Sequence, residues 1–333
     1  MKPTSHETST TSDAWSTAAD LARAGHRVDL DGVVSHSKAT PTLALTCSLG
    51  AVFALTGLVW PGVGVVGLLA VVASALRDMD AGHGWVRRLL VKDICHTVVI
   101  WPSGQCPGPI ADSAPTLLIT APLEFNVASP KVSSGWLMMP LLACLVASVG
   151  VTGQELWGPA IATAAAGFLL TSSVIAWGLA WVGPKHPPGN PARHVLERTL
   201  RAFEPNESLR VVWALVGGGL AHHDGVETLL MNNAHRLPQE HTRVLCLQPG
   251  LGPLAFVYED GRVRPRAADP LLSAVARELT LPAIQTTTGA LKAGKVGWAA
   301  GTLLISGDQM HRATEAVQGF VRHFSHTAEK GEW

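Results

Sequence analysis

The chain has 333 residues, with 25 Lys and Arg against 25 Asp and Glu, so its formal net charge is zero. A neutral balance offers no electrostatic footprint for nucleic acid and argues against such a partner. Five scattered cysteines (Cys47, Cys95, Cys106, Cys144, Cys246), none in a CxxC pair, likewise argue against a disulfide framework or a zinc-thiolate site.

In chain order, residues 1–40 are polar: a Ser/Thr-rich lead expected to be disordered, then a helix over Asp13–Ala24. No short apolar segment follows a basic start, so a cleaved signal peptide is not expected. Residues 41–79 then form the first of two apolar blocks. Pro41–Leu76 contains no Asp, Glu, Lys, Arg or His, and Trp60-Pro61-Gly62 divides it into Pro41–Val59 and Val63–Leu76. A membrane-spanning helix needs roughly 20 apolar residues, so the block predicts a transmembrane hairpin. The second arm is short, and it either extends into Arg77-Asp78-Met79 or sits in a thinned bilayer.

Residues 80–134 read as the first part of an α/β domain, with strands at Thr97–Trp101 and Thr116–Thr120. Residues 135–183 form the second apolar block. Its single formal charge is Glu155, within a turn from Gly153 to Pro159, which predicts a second hairpin and four membrane helices in all. Trp60 and Trp157 fall at the tips and Trp136 and Trp181 at the open ends, where headgroup regions favour Trp.

Residues 184–326 continue the domain, and residues 327–333 form a tail. Helices are predicted at Ala192–Phe203, Val226–His235, Pro270–Leu279 and Thr314–Phe324. Strands are predicted at Leu209–Val216, Thr242–Leu247, Leu254–Tyr258 and Thr302–Ile305. Unalternating apolar strands between amphipathic helices indicate a three-layer α/β sandwich around a mixed sheet. Lys38, Arg77, Arg87, Arg88, Lys92, Lys131, Lys185 and Arg193 flank the blocks, and neither tip carries Lys or Arg. The positive-inside rule therefore puts the N-terminus, the α/β domain and the C-terminus in the cytoplasm and both tips outside. The expected location is the inner membrane of a bacterial-type cell. Buried core helices of a soluble protein are the alternative, which so long an uncharged run disfavours.

Certain segments stand in an order that is similar to a known family. Cys95-His96-Thr97-Val98-Val99-Ile100 is followed by Ile119-Thr120-Ala121-Pro122-Leu123-Glu124-Phe125, then Gly189-Asn190-Pro191-Ala192 opening a helix. Val216-Gly217-Gly218-Gly219 and Leu245-Cys246-Leu247-Gln248-Pro249-Gly250 come next. This order resembles peptidase family M28, the zinc aminopeptidases, whose corresponding segments read N-V-I-A, A-H-x-D-S, D-x-A-S-G, G-E-E-x-G and N-x-D-x-x-G. The resemblance covers most of residues 85–325 outside the second block and rests on order and spacing more than identity.

The family's metal ligands do not carry over. Pro122 stands where the first His belongs, and Pro188 or Gly189 where the bridging Asp belongs. Gly218 and Gly219 replace the paired Glu residues, and Gln248 replaces the later Asp. His311 loosely matches the last His. A zinc ion needs several donors at about 2.0–2.3 Å, and its water needs a base in reach. The resemblance therefore implies a pseudoenzyme with no cofactor: a scaffold or assembly subunit whose partners are the lipid bilayer and other protein subunits or copies of itself, with peptide binding in the retained groove as a variant.

Competing readings rest on particular residues. His222-His223-Asp224 is a candidate relocated metal site, or a polar loop capping the next helix. With Glu124 and His311, the two histidines would build an active metallo-hydrolase. Gly217-Gly218-Gly219 lacks both the third glycine of a dinucleotide fingerprint and the Gly-Lys-Ser/Thr of a phosphate loop, so a tight turn is expected. A small-solute transporter is the remaining alternative. The hydroxyl-bearing residues of the apolar blocks suit interhelical bonds better than an ion path.

Overall fold

The computed structural model describes residues 5–35, 39–81, 85–90, 93–101, 114–123, 134–152, 158–182, 190–204, 208–217, 224–250, 252–261, 265–286, 291–331 and 333. The chain divides into two compact units. Unit 1 comprises Met1–Ser35, Asp93–Phe125 and Pro188–Trp333; unit 2 comprises His36–Lys92 and Asn126–Pro187.

Unit 1 contains helices α1 (Ser5–Arg23), α7 (Pro191–Arg201), α8 (Asp224–Asn232), α9 (Pro270–Glu278) and α10 (Met310–Glu329). Its strands are β1 (Arg27–Ser35), β2 (Asp93–Trp101), β3 (Thr116–Pro122), β4 (Arg210–Val216), β5 (Thr242–Pro249), β6 (Ala255–Asp260), β7 (Arg266–Ala267), β8 (Ala283–Thr286) and β9 (Ala299–Ile305). They form one mixed sheet in the order β1-β2-β4-β3-β5-β9-β6-β7, with β8 paired to β6. The centre β4-β3-β5-β9 is parallel, whereas β2 and β6 run antiparallel to it.

Both faces of the sheet are covered, which is why the central strands read as uninterrupted apolar runs. One face, with Ile119, Trp213 and Leu245, packs against α1, α7, α9 and α10. The other, with Leu118, Val212 and Val244, packs against α8 and the segment around Ala293 and Trp298. Layered α/β architecture follows as expected.

Two expectations for residues 1–40 need correction. The N-terminal helix begins at Ser5, so most of the Ser/Thr-rich lead is helical. The polar stretch after it contains β1, which pairs with β2 along its whole length from Arg27↔Trp101 to Ser35↔Asp93.

Unit 2 holds α2 (Ala39–Gly57), α3 (Pro61–Ala81), the short α4 (Trp85–Arg88), α5 (Ser134–Thr152) and α6 (Gly158–Val182). Their shared core includes Cys47, Ala51, Leu68, Cys144, Ala147 and Leu169. Small residues let the backbones approach: a Cβ on Gly64 would collide with the Gly57 backbone, and one on Gly50 with the Cys144 sulfur. The Ser48 and Ser173 hydroxyls bond each other at 2.6 Å, and Ser173 Oγ donates to the Ala44 carbonyl at 3.0 Å. Length is where the four-span expectation changes. Among the described residues one helix, Gly158–Gly178, is long and apolar enough to cross a membrane; Pro41–Gly57, Pro61–Arg77 and Met139–Thr152 are apolar but shorter.

Each insertion leaves and re-enters unit 1 at bonded points. Ser35 pairs with Asp93 across the first, and the Asn190 side chain bonds the Pro122 carbonyl across the second. Replacing residues 36–92 and 126–187 by short Gly/Ser linkers is therefore expected to give a soluble, monodisperse unit 1 that unfolds in one cooperative thermal transition. Aggregation, or loss of the transition by circular dichroism, would contradict that independence.

Candidate functional site

In open α/β sheets, ligands bind beyond the carboxyl ends of the parallel strands, where strand order reverses. The reversal here falls at β3, which has β4 on one side and β5 on the other. Pro122, Gly217 and Gln248 all lie at this carboxyl edge, with Pro122 paired to Val216 and Gln248 to Leu304. The edge therefore gathers three segments that the sequence assigned to the degenerate metal site.

Among the described residues of this edge, Asn190 makes a structural joint. Asn190 is 6% exposed and caps α7, and Pro191 supplies the preset first helical residue. Its Nδ2 donates to the Pro122 carbonyl at 2.6 Å, and its Oδ1 accepts from the Arg193 N–H at 3.2 Å. Both ends of the amide are thus engaged. Sequence reasoning placed the bridging-carboxylate position at Pro188 or Gly189. Asn190, a neutral isostere of Asp, stands next to Gly189 and two residues before Ala192.

Gln248 is buried at 8% exposure. A Cβ on Gly217 would strike the His96 carbonyl, while the Gly217 N–H donates to Thr97 Oγ1 at 3.2 Å. Close backbone contact with β2 thus accounts for glycine there. His311 lies in the first turn of α10 and is exposed, with Nδ1 3.4 Å from Glu315 Oε1. Glu124, Gly189, Gly218, Gly219, His222 and His223 lie outside the described residues, and Asp224 begins α8. No group of three or more His, Cys, Asp or Glu that could hold a metal ion occurs among the described residues.

Just inside the edge, Thr120, Cys246 and Thr302 stand in register on three adjacent parallel strands. Burial pushes the Cys246 thiol from 9.0 up to about 11, and hydrogen bonds with the Thr120 and Thr302 side chains offset part of that rise. A thiol held protonated is a poor nucleophile and metal ligand.

The opposite edge carries a second polar cluster. Arg210 Cζ lies 4.5 Å from the Trp101 ring centroid; Trp101 Nε1 and Arg236 Nη1 each donate to Asp29 Oδ2 at 3.0 Å. Burial, then the nearby Arg236, lowers the Arg210 pKa. These contacts tie β1, β2 and the start of β4 to the chain beyond α8.

No protein-family model matches the sequence, and no curated protein matches it.

Two outcomes are expected. Asn190→Asp keeps an acceptor for the Arg193 N–H but loses the donor to Pro122, so it should destabilise the detergent-solubilised chain by about 1–3 kcal/mol in thermal melts. For Cys246 the folded value lies above the unfolded one, so the unfolded state loses its proton first as pH rises. Its stabilising contribution is complete below about pH 9 and should fall by roughly 1.4 kcal/mol per pH unit up to about pH 11. Cys246→Ala should remove that slope from the stability–pH profile.

Proposed function

We propose that this chain is a catalytically inactive, zinc-aminopeptidase-like membrane protein that serves as a scaffold or assembly subunit. The Asn190–Pro122 hydrogen bond carries this assignment: an amide with both ends engaged occupies the D-x-A position, where a metal-bridging carboxylate would have to point outward. Helix and strand order along residues 85–325, the parallel centre of the sheet and the neutral residues at its carboxyl edge support the likeness to that enzyme family.

Unit 2 is the anchor. Apolar side chains such as Val52, Val66, Leu142, Val149, Phe168 and Val174 are exposed on its helices, as lipid contact requires. The exposed hydroxyls of Thr56, Ser148, Thr152, Thr163 and Thr171 each donate to a carbonyl three or four residues back in the same helix. Hydrocarbon offers no water to satisfy such donors, so internal bonding suits immersion. The flanking Lys and Arg residues favour a cytoplasmic unit 1.

Gentle detergent purification tests both halves. The expected preparation contains no stoichiometric zinc, lacks chelator-sensitive aminopeptidase activity, and elutes as a stable assembly with further subunits or with copies of itself. Stoichiometric zinc with chelator-sensitive activity would establish the hydrolase alternative.

A further inference from the structure

At the amino edge of the central strands, the end opposite Pro122 and Gln248, three guanidinium groups gather around one indole. Arg27 on β1 stands directly opposite Trp101 on β2, so the two share a face of the sheet. Arg210, at the start of β4, lays its Cζ 4.5 Å from the centroid of that ring. Arg236, from the chain after α8, reaches the same place and donates from Nη1 to Asp29 Oδ2 at 3.0 Å.

The charges there do not balance. Two carboxylates accompany the three guanidinium groups, and both are already engaged. Asp29 Oδ2 accepts from Arg236 and from Trp101 Nε1, and Asp31 Oδ2 accepts from Asn233 Nδ2 at 2.7 Å. Arg210 is left over. Among the described residues it has no ion pair, and its Nη2 is buried without a hydrogen-bond partner. Burial, and then the nearby Arg236, lower its pKa, as happens to a cation held without a neutralising charge. A buried cationic donor with no acceptor is costly, and folded proteins seldom leave one so. The face of Trp101 attracts the charge. It does not replace the in-plane oxygen acceptors that a guanidinium fork is shaped to meet.

We infer that this cluster is a binding site for a phosphate group, received by Arg210 and Arg236 with Arg27 at its exposed rim. A tetrahedral oxyanion presents several acceptor oxygens, so it meets more than one fork at once and offsets the surplus positive charge. Inorganic phosphate and the headgroup of an acidic phospholipid offer this same chemistry, and the experiment separates the two. The site owes nothing to the zinc-aminopeptidase likeness, since it lies at the other end of the sheet.

The purified full chain in neutral detergent, melted at rising inorganic phosphate with chloride exchanged for it at constant ionic strength, tests the site. The expected result is a saturable rise of a few degrees in melting temperature, absent in Arg210→Met. Arg27→Gln, at an exposed position that leaves the fold intact, should reach half-saturation only at several-fold higher phosphate. Without phosphate, Arg210→Met should melt at or above the native temperature, because the unneutralised charge is gone while an apolar stem still covers Trp101. A short-chain phosphatidate in place of phosphate identifies the source: saturation at much lower concentration assigns the site to a lipid headgroup, and an equal or weaker response assigns it to free phosphate. No saturable rise with either compound, or the same rise in both variants as in the native chain, would overturn the inference. Melting of Arg210→Met well below the native chain in phosphate-free buffer would show the guanidinium serving the fold, and would overturn it as well.

Discussion

One side-chain hydrogen bond, from Asn190 Nδ2 to the Pro122 carbonyl, joins three features of this protein. It closes the gap across which the second apolar insertion leaves unit 1, and it holds the residue that caps α7. It also engages the group that, on the proposed likeness to zinc aminopeptidases, a metal site would need free. A carboxylate could keep the cap but not the bond, because it has no proton to give the carbonyl. On that proposed likeness, structural closure and metal binding would compete for one side chain.

How far the sequence disclosed the fold depends on burial. The strands with both faces covered (β2 to β5, and β9) were legible as apolar runs because most residues in them are buried, and β6 through its buried Ala255–Val257. β1 was not, because Asp29 and Asp31 interrupt Val28 and Leu30; only the sheet places it, as a partner along the whole of β2. β7 and β8 are too short, and too exposed, to leave a periodic signal. At the candidate site, Pro122 and Gln248 were legible as edge positions. Asn190 escaped notice because its role is set by a partner 68 residues away, not by its neighbours.

The apolar unit follows different rules. In the proposed membrane setting its association cannot come from removing oily surface from water, since lipid would solvate that surface equally well. Close backbone approach of Gly57 to Gly64, side-chain packing onto Gly50 and the hydroxyl pair of Ser48 with Ser173 supply packing and direction instead. The same economy explains the threonines whose hydroxyls bond back to their own helices.

The parallel pairing of β3 with β4 has a consequence for how the chain is made. The ribosome releases β3 long before β4, and between them come α5, α6 and α7. Until that whole stretch has been made, the central strand of the sheet lacks its neighbour and exposes an unpaired apolar edge, the state most prone to wrong association. β1 faces the same delay before β2. Pairing of β3 with β4 thereby waits on synthesis of the whole second insertion.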